Sequence, residues 1–214
     1  MSLLDDPSLA RYVARQLSSF FPDRTVEPSE IEEAVVVASQ RFSRCFSRLR
    51  VKYATPRVNH LVTDQYAVFL YYLSNTLFRG GSTELAGKTY ALNKALHAAD
   101  LFYEVELPEV FALQHPVGTV IGRGTFSNYL FVYQRCSIGS SLEGDYPVFA
   151  EGVVMFGGSA VIGKCNIGPN TWLSVGTVVM DQDTPGNCVV FGRSPNLVIK
   201  PTRRDVIAEM FKAR

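Results

Sequence analysis

Residues 148–180 read VFAEGVVMFGGSAVIGKCNIGPNTWLSVGTVVM. Every sixth position, namely Phe149, Met155, Val161, Ile167, Leu173 and Val179, is large and apolar. Four residues after the first five of these come Val153, Ser159, Cys165, Thr171 and Thr177, all small or β-branched. Upstream, Val120, Phe126, Val132 and Ile138 keep the same period. A step of six matches neither the 3.6 of an α-helix nor the 2 of a strand. It is the signature of a β-solenoid built from hexapeptide rungs. Each hexapeptide forms one flat side of a triangular coil, with its large residue inward and its small residue in the corner. Gly163, Gly168 and Gly176 fall where turns need unusual backbone angles. At roughly 18 residues per coil, residues 117–195 make about four coils stacked at about 4.8 Å. The phase breaks between Ile138 and Phe149, so residues 139–147 are expected to leave the coil as a loop.

The first half has a helical rhythm. Helices are predicted over residues 7–20, 64–78 and 82–99, the third of these following Gly80 and Gly81. Another begins at a capping box of Ser29 and Glu32 and carries the stripe Ile31, Val35, Ala38, Phe42, Cys45 and Leu49. The fold class is therefore α + β. A helical N-terminal domain (1–106) precedes a parallel β-helix domain (107–200), and a C-terminal tail or helix (201–214) follows. The helices are expected to cover the open first coil. The amphipathic segment 205–211 is expected to close the far end.

Composition bounds the function. The chain has 214 residues, 47% apolar and 19% charged, with a formal charge of +1. That balance argues against a nucleic-acid partner. A basic run at Arg41, Arg44, Arg48, Arg50, Lys52 and Arg57 reads as the solvated face of a helix. The longest clear apolar run, Tyr66 to Leu73, is too short to span a bilayer. The opening Met-Ser-Leu-Leu-Asp-Asp lacks signal-peptide character, so the cytoplasm is the expected compartment. Cys45, Cys136, Cys165 and Cys188 are far apart and read as buried thiols. Glu143, Asp145, Asp181 and Asp183 are not at calcium-loop spacing, and no metal is expected.

Three histidines are present. His97 reads as structural, and nothing near His60 suggests a site. His115 stands where the helical half meets the first coil, followed by Pro116-Val117-Gly118-Thr119-Val120-Ile121-Gly122. This segment resembles the His-Ala-Thr-Gly segment that ends the first coil of serine acetyltransferases. Gly144-Asp145-Tyr146-Pro147 with Glu151-Gly152-Val153, residues 178–186, and Phe191-Gly192-Arg193-Ser194-Pro195 are similar to later segments of hexapeptide acyltransferases.

The resemblance implies a left-handed coil, a homotrimer that could pair into a dimer of trimers, active sites between subunits, and acetyl-CoA as cosubstrate. It implies His115 as general base, a task suited to an imidazole titrating near neutrality. A carboxylate commonly orients such a base, and Glu109, chosen over Glu104 and Glu106, is the expected partner. A backbone N–H is the expected oxyanion donor. Gly157, Gly158, Ser174 and Val175 match positions along which the pantetheine arm lies. Arg193 and Lys200, with Arg203 and Arg204, could meet the CoA phosphates. Two acceptor-side positions depart from the family. Gln114 replaces an Asp, and Tyr146 stands where an Arg-His pair follows Asp145. These departures turn the expected acceptor toward a sugar or nucleotide-linked sugar of surface polysaccharide synthesis. L-Serine is the alternative, and a non-catalytic trimeric scaffold is the second alternative.

Overall fold

The computed structural model describes residues 3–52 and 54–212. Helix α1 (Asp6–Phe20) is capped by Asp5, whose carboxylate accepts the Ser8 N–H at 2.9 Å. The capping box forms two residues upstream of the expected Ser29 and Glu32. Pro28, which lacks an N–H, opens a 3-10 turn (Pro28–Glu30), and the Glu30 carboxylate accepts the Glu27 N–H at 2.7 Å. Helix α2 (Glu32–Ser47) follows and buries Val35, Ala38, Phe42 and Cys45 as one stripe. Helix α3 (Thr63–Arg79) is the centre of the helical layer, buried continuously from Gln65 to Asn75. Helix α4 (Thr83–His97) ends where Ala98 turns left-handed at φ 50°.

The coil is a parallel β-solenoid. Its first face stacks Phe111–Leu113, Leu130–Val132, Val153–Met155, Thr171–Leu173 and the start of Cys188–Arg193. Its second face stacks Asp100–Leu101, Val120–Ile121, Ser137–Gly139, Ala160–Ile162 and Val178–Met180. The third stacks Thr125–Phe126, Val148–Phe149 and Asn166–Ile167. Five strands on each of two faces make one coil more than expected, because pairing already begins at Asp100. Phe149, Met155, Val161, Ile167, Leu173 and Val179 all point inward and are buried. So are Val153, Ser159, Cys165, Thr171 and Thr177.

The period slips upstream. Val120 is exposed, and Ile121 is the buried residue. Leu113 pairs with Val132, a step one residue longer than the 18 between Met155 and Leu173. The longer first coil moves the inward position along by one.

Small polar corner residues are satisfied by backbone. The Thr177 hydroxyl donates to Val190 O at 3.0 Å and the Thr119 hydroxyl to Tyr133 O at 2.8 Å. Residues 140–147 leave the coil as an exposed loop with Leu142 at its tip.

The helices close the first coil as expected. The Tyr71 hydroxyl donates to Val105 O at 2.7 Å and accepts the Leu107 N–H at 2.9 Å. The Cys45 thiol donates to Phe111 O at 3.0 Å, and burial pushes its pKa up to about 11.

The far end differs from expectation. A hairpin, Cys188–Arg193 with antiparallel Asn196–Pro201, finishes the coil. Helix α5 (Val206–Met210) does not cap it. The chain runs back along the coil's side, where the Val206 N–H donates to Asn170 Oδ1 at 3.0 Å. It then bridges to the end of α2 through Leu49 and Phe211. Phe211 is fully buried against Tyr129 and Phe131. Apolar Val206 and Phe211 find cover on the side of the coil that the hairpin end cannot give them.

Candidate active site

The register sets which residues share an edge. Leu113, Val132, Met155, Leu173 and Val190 are stacked partners. Two residues beyond the last four lie Gln134, Gly157, Val175 and Gly192, along the corner between the first and second faces. On the first coil Val117 takes that place, its carbonyl accepting the Arg135 N–H at 3.0 Å, and His115 precedes it in a tight turn, its carbonyl accepting the Val117 N–H at 2.7 Å. Gly157 and Gly158, with Ser174 and Val175 on the next coil, line this corner, and His115 stands at its helical end. Rung-to-rung bonds hold the corner. Gly158 N–H donates to Gln134 O at 2.9 Å and Gly176 N–H to Gly157 O at 3.1 Å. A methyl added at Gly157 would lie 2.8 Å from the Gln134 amide nitrogen, so that side chain rests against the glycine. A methyl at Gly158 or Gly176 would meet nothing within 4 Å, which leaves the edge open and thin.

His115 is held by its backbone and is 71% exposed in its side chain. It adopts φ 52°. Its N–H donates to Asp64 Oδ2 at 3.1 Å, and its Nδ1 lies 3.9 Å from the same oxygen. Asp64 is in the first turn of α3, where a carboxylate suits the positive end of the helix. The carboxylate beside His115 is therefore Asp64. Glu109 instead faces Arg44 at 3.6 Å. The chain between Glu109 and His115 is committed to the first strand, which carries the two residues apart. No sequence pattern joins Asp64 to a residue 51 positions away.

The other candidates are spread. Gln114 precedes the histidine, and its N–H donates to Val132 O at 3.0 Å. Asp145 and Tyr146 are exposed on the loop, where Asp145 exchanges bonds with Ser141. Arg193 is exposed in the terminal hairpin, paired in register with Val178 and with Asn196. Lys200 sits 5.9 Å over the Phe191 ring. Arg204 is engaged elsewhere, bonded to Glu209 and 4.1 Å over the Trp172 ring.

Asp181 and Asp183 turn out to be corner caps. Asp181 Oδ1 accepts the Lys164 N–H at 2.9 Å, and Asp183 Oδ1 accepts the Asn166 N–H at 2.6 Å. Among the described residues no cluster of three His, Cys, Asp or Glu side chains could hold a metal ion. The four cysteines are free and buried. His97 is buried, with Nδ1 2.8 Å from Asn93 Oδ1, and burial lowers its pKa from 6.5. His60 stacks on Tyr12 at 4.7 Å. No described helix is long and apolar enough to cross a membrane.

No protein-family model matches the chain. A serine acetyltransferase of Synechococcus elongatus is 29% identical over 105 residues, which is 47% of this chain and 43% of that protein. The chain thus aligns with less than half the length of this relative. Among solved structures, the serine acetyltransferase of Vibrio cholerae superposes with a TM-score of 0.72 at 19% identity, covering 93% of this chain and 80% of that one. A serine acetyltransferase in complex with CoA gives 0.69 at 16% identity, covering 90% and 83%. The chain shares the fold of these structures, helices followed by a parallel β-solenoid of hexapeptide rungs.

Proposed function

We propose that this protein is an acetyl-CoA-dependent O-acetyltransferase of the serine acetyltransferase type, with His115 as general base and the L-serine hydroxyl as acceptor. The observation that carries the reading is the corner itself: an exposed imidazole stands at the helical end of a rung corner where Gly158 and Gly176 leave the edge open. The sequence match to a serine acetyltransferase supports serine over the sugar expected from Gln114 and Tyr146 alone.

Acetyl-CoA supplies the acyl thioester. The thin edge at Gly157, Gly158, Ser174 and Val175 suits an extended arm, and Arg193 and Lys200 are cations free to meet phosphates. With Nδ1 turned toward Asp64, Nε2 is the nitrogen left to take the acceptor proton. It takes that proton as the hydroxyl oxygen bonds to the acyl carbon, and returns it to the departing thiolate as the C–S bond breaks. Asp64 is a positioning residue in this scheme.

The sites are completed between subunits of a trimer. The exposure of His115, together with exposed Val117, Val148, Val175 and Met180 on the coil, supports that assembly. A sugar acceptor is the second reading, favoured by exposed Tyr146, whose ring could stack on a pyranose. The test is thiol release from acetyl-CoA with L-serine beside sugars, amino sugars and their nucleotide-linked forms. Turnover with serine alone supports the reading. Turnover with a sugar alone transfers it to the second. CoA binding without turnover by any acceptor refutes both, and absence of CoA binding supports the scaffold.

A further inference from the structure

The basic run on α2 is not simply a solvated face. Arg44 and Arg50 are exposed, but Arg41 is half-buried. Its guanidinium lies 4.7 Å over the Tyr72 ring, and its Nη1 donates to Thr76 Oγ1 at 3.0 Å and Tyr72 O at 3.4 Å. Its Nε and Nη2 donate to no described residue, and no described carboxylate lies within ion-pair distance. A desolvated cation without a counterion is costly unless an anion meets it. Burial correspondingly lowers its pKa.

Arg41 opens into a cavity of about 200 Å³ shared with Arg44 and Arg79, walled by Tyr72, Leu107 and Glu109. Arg79 is paired with Glu106, and Arg44 reaches Glu109 only at 3.6 Å. Arg44 and Glu109 also line a second cavity of about 310 Å³, with Ser47, Arg48, Asn128 and Tyr129. Four guanidinium groups against two carboxylates leave the paired cavities net positive. The second cavity offers a hydroxyl, a carboxylate and the Asn128 amide N–H groups, since Asn128 Oδ1 is taken by the Val110 N–H at 3.0 Å. Guanidinium forks match phosphate oxygens, and the polar second cavity matches hydroxyl groups.

We infer that this double cavity binds a small phosphorylated polyol, with its phosphate on Arg41, Arg44 and Arg79 and its hydroxyls toward Ser47, Asn128 and Glu109. The site lies where α2 and α3 meet the first coils and shares no lining residue with the His115 corner, so it does not depend on the acetyltransferase reading.

The test is isothermal titration of the full chain at low ionic strength with glucose 6-phosphate, inorganic phosphate and glucose. The expected order of affinity is glucose 6-phosphate above inorganic phosphate, with no heat from glucose. Arg44→Gln, on an exposed side chain, should weaken glucose 6-phosphate roughly tenfold or more, the worth of one charge-assisted hydrogen bond. Arg41→Lys keeps the charge but loses the fork, and should weaken glucose 6-phosphate binding roughly tenfold or more, read at a temperature where circular dichroism shows the variant folded. CoA should not compete. The inference is overturned by no heat with glucose 6-phosphate, by unchanged affinity in Arg44→Gln, by equal affinity for glucose, or by displacement with CoA.

Discussion

Replacing Gly168 by alanine pushes a methyl group into the gap between two rungs. The added carbon would lie 2.5 Å from Gly186 N, 2.6 Å from the Pro185 carbonyl carbon and 2.8 Å from Gly186 Cα. All three are backbone atoms, so no side chain can rotate away. Ordinary contact at about 3.5 Å requires the rungs to part locally by about 1 Å. Two rung-to-rung bonds flank the point: Gly168 N–H to Thr184 O at 3.1 Å and Asn187 N–H to Pro169 O at 2.7 Å. Losing them costs about 1 kcal/mol each, and overpacking adds about 1–3, for a total of about 3–5 kcal/mol. Gly176→Ala is the control. It has φ +71° and open space around the added methyl, so it incurs only the left-handed backbone cost of roughly 1–2 kcal/mol. Scanning calorimetry should show Gly168→Ala melting about 6–20 °C below the wild type and Gly176→Ala only a few degrees below. The rung-contact reasoning is refuted if Gly168→Ala stays within about 1 kcal/mol of wild type, or if the two variants are equally damaged.

Three more outcomes are expected. Phe211→Ala removes a fully buried ring, should cost about 3 kcal/mol and should free the tail to protease; a wild-type digestion pattern would contradict the docking described. His97 has its folded pKa lowered from 6.5 by burial, so as pH falls below 6.5 the unfolded chain binds the proton first and stability is lost; above 6.5 the group is neutral in both states. His97→Gln should flatten the stability profile on that acid side, and an unchanged profile in urea melts would dismiss the assignment. Asp64→Asn weakens a largely exposed contact, worth at most about 1 kcal/mol, so turnover should fall no more than about fivefold; a loss matching that of His115→Ala would show that Asp64 does far more than position.

The coil was legible because its constraint is local and periodic. Every rung must put one large residue inward and one small residue in a corner, and residues 148–180 repeat that requirement without a break. The reading faltered where other forces entered. The first coil is one residue longer, so the six-residue step falls on Val120 while Ile121 fills the inward position. The capping box moved because Pro28 takes the turn's first place. The amphipathic tail has the pattern of an end cap, but an antiparallel hairpin occupies that end and Phe211 finds its cover beside Tyr129. At the site, the glycine edge and His115 were visible because they belong to the repeat and its entry. Asp64 was not, because a tertiary contact between helix α3 and the first corner leaves no trace in spacing. Arg41 was hidden for a related reason: one member of a charged run was turned inward by an aromatic ring on the neighbouring helix.

Initial rates of CoA thiol release from acetyl-CoA and L-serine, wild type beside His115→Ala, decide whether His115 is a catalytic base. Serine-dependent release that drops by about 100-fold or more in the variant, with CoA binding and melting temperature retained, is the predicted result. Equal rates in the two proteins would remove His115 from the chemistry and leave the corner without a general base.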